Sequence, residues 1–274
     1  MPTLAPSPAC HALEAPRVLE LIAADAARVA ALITEADPDR RVPSCPDWTL
    51  ADLVKHLGAV HRRVTATVTR LPQRRLELSA AELGFPADWT AAPRWFAEGA
   101  AALVEALGAA DLDAPCYTWG DEQNVRWWLR RQLHETAIHR VDVELAVLGA
   151  AGELEAAVAV DNIDEFLANL SYMARFRPEV RELHGDGETI HLHATDLDGS
   201  ALPGEWLITL EPHGFRWSHA HVKGAAAVRG TARDLSLWIN HRAVVDHPTL
   251  GTAAGLELLG EEPLLTYWGN KTAF

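Results

Sequence analysis

Apolar residues recur at helical spacing along most of the first half of the chain. Four segments of this kind are long, and each predicts an amphipathic helix because side chains three and four positions apart share one helix face. The predicted helices run over 17–35, 49–71, 88–107 and 122–148, and Gly149 ends the last of them. Four long helices joined by connectors of moderate length predict a four-helix bundle.

The pattern changes after a fifth predicted helix at 154–175. Downstream of it, apolar and polar residues alternate in short runs, which is typical of β-strands. The elements expected there are strands at 189–195, 205–210, 215–217 and 226–230, followed by a helix at 231–239. We therefore predict a two-domain α+β protein, with an all-α domain at 16–177 and a smaller α+β domain at 178–274.

The composition of the chain argues against several classes of function. The chain has 274 residues, of which 49% are hydrophobic and 23% charged, ordinary values for a globular protein. A net charge of −14 argues against nucleic acid as a partner. The three cysteines form no CxxC motif, so neither a disulfide framework nor a cysteine zinc site is expected. Neither a signal peptide nor an apolar run of about 20 residues is recognised, and we expect a cytoplasmic protein without a membrane partner.

The segment Leu133–Arg140 carries the most specific candidate chemistry. Glu135 and His139 lie four residues apart, so a carboxylate and an imidazole share one face of the predicted helix. His56, in another predicted helix, offers a third ligand for a divalent metal. Two histidines and one carboxylate leave a coordination position open, as in catalytic rather than structural zinc sites. Zinc is the expected ion, and the same ligand set also suits nickel and iron.

Neighbouring residues leave alternatives open. His134 lies five positions before His139, about 140° around the helix, so the two cannot easily share one metal and the motif is not the HExxH of metalloproteases. Asp142 could accept the second ring N–H of a ligand, or contact substrate. The plainer interpretation is a set of structural histidines and a solvated helix carboxylate, since the chain holds 13 histidines and chance proximity is common.

Two longer motifs, VPSCPDWTLADLVKHLG at 42–58 and HETAIHRVD at 134–142, resemble helix segments of the mycothiol-dependent maleylpyruvate isomerase family, in the DinB-like superfamily. Further segments resemble parts of that family's C-terminal domain. They lie at 161–167, 189–196 and 228–239. The segments occur in the family's order and span the chain from about Arg17 to Gly260.

The resemblance implies an architecture and a cofactor set. It implies a DinB-like four-helix bundle followed by a sterol-carrier-protein-like α+β domain, with the active site between them. It implies a zinc-type metal bound by His56, Glu135 and His139. It also implies mycothiol, the low-molecular-weight thiol of actinobacteria, as cosubstrate.

Two further residues gain a role from the resemblance. Asp142 matches the family's acidic position after the ligand histidine, and Arg242 matches the family's arginine near the cleft, where it could hold a substrate carboxylate. The pair before this arginine, Asn240-His241, departs from the family's usual Trp-Gly. We therefore predict Asp142 and Arg242 as catalytic residues.

A metal-activated thiol defines the predicted reaction. A coordinated thiol loses its proton because the cation stabilises the thiolate, and the thiolate is the nucleophile. We predict an enzyme, monomeric or homodimeric, that uses mycothiol for S-transfer to a small electrophile or for thiol-assisted cis–trans isomerisation. Two alternatives stay open: a catalytically silent metal-binding stress or regulatory protein, and a hydrolase of the same fold that uses metal-bound water.

Overall fold

The structure is a computed structural model that describes residues 13–242 and 255–273. The chain divides into two compact units, whose described parts are 13–152 for the N-terminal unit and 153–242 with 255–273 for the C-terminal unit. In the described ranges, every helix is too short or too polar to cross a lipid bilayer.

Four long helices make up most of the N-terminal unit. They are α1 (Ala15–Ile33), α2 (Leu50–Arg70), α4 (Ala92–Ala109) and α5 (Val125–Leu148), with the short helix α3 (Ala80–Leu83) between α2 and α4. Helix α1 packs against α4 and α5, and α2 packs against the same two helices. Their apolar faces share a core that includes Ile33, Leu53, Leu57, Phe96 and Val143. The four long helices predicted from the apolar periodicity are confirmed.

Helix α2 begins with a capping box. The Thr49 hydroxyl accepts a hydrogen bond from the Asp52 amide at 3.2 Å, and the Asp52 carboxylate accepts one from the Thr49 amide at 3.0 Å. The box satisfies backbone amides that have no partner within the helix. Because the box fixes where the helix starts, it also fixes which turn of α2 carries His56.

A two-stranded hairpin precedes α2, where the sequence predicted only a break between helices. Strand β1 (Arg41–Val42) pairs antiparallel with β2 (Cys45–Thr49). Pro43 and Pro46 obscure the strand pattern, since proline is unfavourable inside a strand. The hairpin packs against α2, and β1 packs against α5. It thereby brings its loop to the middle of α5.

The C-terminal unit contains a five-stranded sheet. Its strands are β3 (Thr189–Ala194), β4 (Glu205–Glu211), β5 (Gly214–Ser218), β6 (Ala226–Gly230) and β7 (Glu257–Gly260), and its helices are α6 (Ala156–Met173), α7 (Pro178–Arg181), α8 (Ala232–Ile239) and α9 (Glu262–Thr272). The strand order is β5-β4-β3-β6-β7, with the β3–β6 pair parallel and the other pairs antiparallel. The α+β class is confirmed, whereas the bundle and sterol-carrier-like assignments stay predictions.

Helix α6 belongs to the C-terminal unit, which therefore starts earlier than the predicted division at 177. Its Asp164 accepts a hydrogen bond from Trp206 of β4 at 2.6 Å, and its Asn162 accepts one from Ser236 of α8 at 2.7 Å. Both bonds are buried, so α6 supplies polar side chains to the interior of this unit. A helical pattern predicts that a face is buried, but it does not identify the partner that buries it.

Candidate metal centre

Helix α5 exposes two side chains in its otherwise buried middle. From 132 to 146 every residue is buried except Glu135 and His139. The two lie one turn apart, so their side chains point to the same side of the helix. In this part of α5, Glu135 and His139 are thus the side chains that a ligand could reach.

His56 of α2 joins this pair. Its Nε2 lies 3.1 Å from Oε1 of Glu135, and Nε2 of His139 lies 3.3 Å from the same oxygen. The two imidazole rings meet edge to face with centroids 5.1 Å apart. One ligand atom from each of the three residues lies within 4.8 Å of the others. The structure thus brings the three predicted ligands together.

The donor set and its geometry fit a divalent metal. Two imidazole nitrogens and a carboxylate oxygen are the ligands of many catalytic zinc sites, and borderline ions such as nickel accept the same donors. The His56 side chain is 34% exposed, against 12% for His139. Of the two imidazoles, that of His56 is therefore the one nearer to solvent.

Opposite charges on Glu135 and His139 shift the pKa values of both side chains. Burial alone would raise the pKa of Glu135, but the charges of Arg131 and His139 and hydrogen bonds from both histidines outweigh it and hold that pKa well below its usual range. Burial lowers the pKa of His139, yet the Glu135 charge and the hydrogen bond to Asp142 outweigh it and raise this pKa to about 9. The pair is therefore ionised at neutral pH.

Asp142 lies behind His139 and is fully buried. Its Oδ2 accepts a hydrogen bond from Nδ1 of His139 at 2.8 Å, and its Oδ1 accepts one from the Ser44 hydroxyl at 2.5 Å. The Cys45 thiol lies 3.9 Å from Oδ2. Of the two roles considered for Asp142, the geometry favours holding the ring of His139 over contact with substrate, since a fully buried carboxylate has no access to a ligand.

Arg131 and Trp48 lie beside the three candidate ligands. Arg131 Nη2 lies 2.5 Å from Oε2 of Glu135, the oxygen that does not face the histidines. The Trp48 ring packs against His56 with centroids 4.9 Å apart and lies 6.4 Å from the ring of His139. The i,i+4 spacing of Arg131 and Glu135 is enough to predict this ion pair from the sequence. The position of Trp48 could not be predicted in this way, because it depends on the hairpin.

Two other histidines of the same helices stay outside the centre. His134 is fully buried on another side of α5. His61 is also fully buried, and its Nε2 lies 3.1 Å from the Thr136 hydroxyl. Burial lowers the pKa of His61 to about 3, despite the opposing charge of Glu135. His61 is therefore a neutral core residue at physiological pH.

Arg242 lies in the C-terminal unit, just after α8. It is buried, and its Nη1 donates a hydrogen bond to the Asn240 carbonyl at 2.6 Å. This bond joins its side chain to the end of α8. The role of Arg242 in binding a substrate carboxylate stays a prediction.

Comparisons with known proteins agree with the sequence motifs. Residues 19–144 match the family described as mycothiol maleylpyruvate isomerase N-terminal domain, and these residues include every side chain of the centre. No curated protein is significantly similar to the chain.

Solved structures extend the likeness to most of the chain. The crystal structure of a mycothiol-dependent maleylpyruvate isomerase is similar with a TM-score of 0.58 at 14% identity, covering 92% of this chain and 95% of that one. A histidine-to-alanine mutant of a mycothiol-dependent maleylpyruvate isomerase gives the same TM-score and coverage at 13% identity. At such identity the likeness concerns the fold, and it includes both units.

Proposed function

Because the chain belongs to the mycothiol-dependent maleylpyruvate isomerase family through its N-terminal domain, we propose that it is a metal-dependent enzyme that activates a low-molecular-weight thiol. The thiol is mycothiol, and the ion is zinc or a similar divalent metal held by His56, Glu135 and His139. The activated thiol isomerises, or forms an S-conjugate with, a small electrophile.

One observation carries the proposal. Two imidazoles on different helices converge on one oxygen of Glu135, at 3.1 and 3.3 Å. Bound there, a divalent ion would supply the positive charge that stabilises a thiolate over a thiol at neutral pH. An ordinary buried ion pair needs only one imidazole, so the second one, supplied by α2, favours a ligand set over a structural bridge.

The remaining residues orient the three ligands. Asp142 accepts a hydrogen bond from Nδ1–H of His139, which favours the tautomer whose Nε2 lone pair is free to bind a metal. Arg131 holds the outer oxygen of Glu135 and so turns Oε1 toward the histidines. The hydrogen bond from Ser44 fixes Asp142 in turn. The hairpin therefore supports the centre through two successive hydrogen bonds.

The thiolate accounts for both candidate reactions. In isomerisation, its sulfur adds to one carbon of an activated cis double bond, and the electron pair moves into the conjugated carbonyl group. Rotation about the resulting single bond and expulsion of the sulfur give the trans isomer and return the thiolate unchanged. In S-transfer, the carbon–sulfur bond stays and a leaving group or an opened epoxide accepts the electron pair.

The open side of the centre suits a small thiol and its electrophile. His56 is the most exposed of the three ligands, and the Trp48 ring covers one flank of it. An aromatic wall beside partly exposed ligands limits the water that reaches a bound thiolate, which strengthens the electrostatic interactions around it.

The proposal is tested by incubating zinc-loaded protein with mycothiol and either maleylpyruvate or monobromobimane. We expect turnover with at least one electrophile, and loss of turnover when mycothiol is omitted or when Glu135 is replaced by Gln. Turnover without any thiol would instead support the metal–water hydrolase. Metal-loaded protein that accelerates neither reaction above a protein-free control would support the catalytically silent binding protein.

A further inference from the structure

The outer face of the C-terminal sheet carries a second histidine and carboxylate cluster. His191 and His193 lie two residues apart on β3, and their side chains point to the same face because strand side chains alternate. Glu205 of β4 pairs directly with His193 across the two strands. Their neighbours on the opposite face, Leu192 and Trp206, are fully buried. The sheet register therefore gathers two imidazoles and a carboxylate at one place.

A third imidazole reaches this cluster from the segment after β5. His221 Nδ1 lies 2.7 Å from both carboxylate oxygens of Glu205, and His191 Nε2 lies 2.7 Å from Oε2 of the same residue. The three imidazole rings form a nearly equilateral triangle, with centroids 6.0 Å, 6.2 Å and 6.4 Å apart for the pairs 191–193, 191–221 and 193–221.

The cluster has the same residue types as the first centre in a wider arrangement. There, one carboxylate holds two imidazoles from different elements, and the rings lie 5.1 Å apart. Here the rings lie about 1 Å farther apart, so ligation requires them to move together. His221 can supply that movement, since its side chain is 84% exposed and lies outside the regular strands.

We propose that His191, His193, His221 and Glu205 form a second metal site, which takes a divalent transition ion such as zinc, nickel or copper. Three imidazoles and one carboxylate would fill a four-coordinate shell with protein ligands, so no coordination position would stay open for a substrate. Bound metal would tie the segment after β5 to β3 and β4, and so stabilise the C-terminal unit.

Two features beside the cluster fit this assignment. Asp198 Oδ1 lies 3.1 Å from Nε2 of His193, so it can orient this ring as outer carboxylates do at metal sites, leaving Nδ1 as the donor atom. A cavity of about 310 Å³ adjoins His191 and His221 and is also lined by Lys223 and Leu259. The cavity leaves open space beside the two imidazoles, and Arg229 also lines it.

The test measures metal binding in protein that lacks the first centre. Untagged protein carrying Glu135→Gln and His139→Ala is stripped with a chelator, titrated with Zn²⁺ by calorimetry, and examined with Co²⁺ for the intense visible absorption of four-coordinate cobalt. We expect about one ion per chain and a rise in the melting temperature on zinc addition. Adding His221→Ala should abolish the cobalt absorption and weaken zinc binding at least 10-fold.

Two control substitutions test whether zinc binding depends on the residues of the second cluster. His213→Ala, which removes an exposed histidine outside the cluster, should leave zinc binding unchanged, and Glu205→Gln should weaken it. His221 is exposed, so its removal should not unfold the chain; circular dichroism checks this. The proposal is overturned if the protein without the first centre binds no zinc, or if His221→Ala retains the same affinity and cobalt spectrum. Neither result bears on the proposed thiol chemistry, which depends on the N-terminal unit.

Discussion

Asp142 lies directly behind His139, with its Oδ2 2.8 Å from Nδ1 of the ring. This hydrogen bond joins a fully buried carboxylate to a partly exposed candidate ligand, and Ser44 holds the other carboxylate oxygen. The direction in which His139 presents Nε2 is thus set from the hairpin and from within α5. We therefore propose that Asp142 positions His139 for a metal rather than contacting substrate.

Asp142→Asn should weaken metal binding without unfolding the protein. The amide carries less negative charge than the carboxylate, so it holds the His139 ring less firmly and lowers its basicity. We expect the zinc dissociation constant to rise roughly 10-fold to 100-fold, as measured by competition with a chromophoric chelator. Asp113→Asn, at an exposed ion pair with Arg126, is the matched control. An Asp142→Asn protein with unchanged zinc affinity would remove the positioning role.

Arg131→Gln should destabilise the metal-free protein. The Glu135 side chain is 15% exposed and depends on Arg131 for a permanent positive partner. Losing that partner leaves a largely buried carboxylate less compensated, which costs roughly 1–3 kcal/mol in the free energy of unfolding. Urea denaturation in the presence of a chelator measures the loss.

Arg126→Gln provides the comparison for this experiment. Arg126 lies on the same helix and pairs with Asp113, but the two side chains are 52% and 76% exposed. An exposed pair of this kind contributes about 0–1 kcal/mol. Equal effects of the Arg126 and Arg131 substitutions would contradict the idea that Arg131 balances the charge of Glu135.

His61→Gln should reduce the acid sensitivity of the fold. The folded-state pKa of His61 is about 3, against about 6.5 in an unfolded chain. Below pH 6.5 the unfolded state binds a proton that the folded state excludes, so stability falls as the pH falls toward 3. The contribution of His61 is a loss of about 2 kcal/mol between pH 7 and pH 5.

Urea unfolding of metal-free protein at pH 7 and pH 5 checks this value. The difference between the two free energies of unfolding should be about 2 kcal/mol smaller in His61→Gln than in the natural chain. His213→Gln, at an exposed position, should leave the difference unaltered. If His61→Gln also leaves it unaltered, His61 is not excluded from protonation in the folded state.

Part of the candidate centre follows from local spacing in the sequence. Glu135 and His139 share a face through the 3.6-residue period of α5, and Thr49 marks the start of the helix that carries His56. The same rule extends to Arg131, four residues before Glu135. These relationships need only the knowledge that each segment is helical.

The supporting residues are harder to predict because they depend on contacts between distant segments. Ser44 reaches Asp142 only through the hairpin, whose prolines hide its strands. The cluster around Glu205 forms because the strand register pairs Glu205 with His193. It also depends on the segment after β5, which places His221 next to Glu205. Strand order and register are set by pairing across the sheet, which a single sequence does not display.

The most direct test of the central claim compares metal content and turnover in two proteins. Both carry His221→Ala, which removes the second proposed metal site, and one also carries His56→Ala. We predict about one zinc ion per chain with mycothiol-dependent turnover in the first protein, and loss of most of the metal and of the turnover in the second. If the His56→Ala protein binds the same amount of metal as the first, His56 is not a ligand and the proposed centre is wrong.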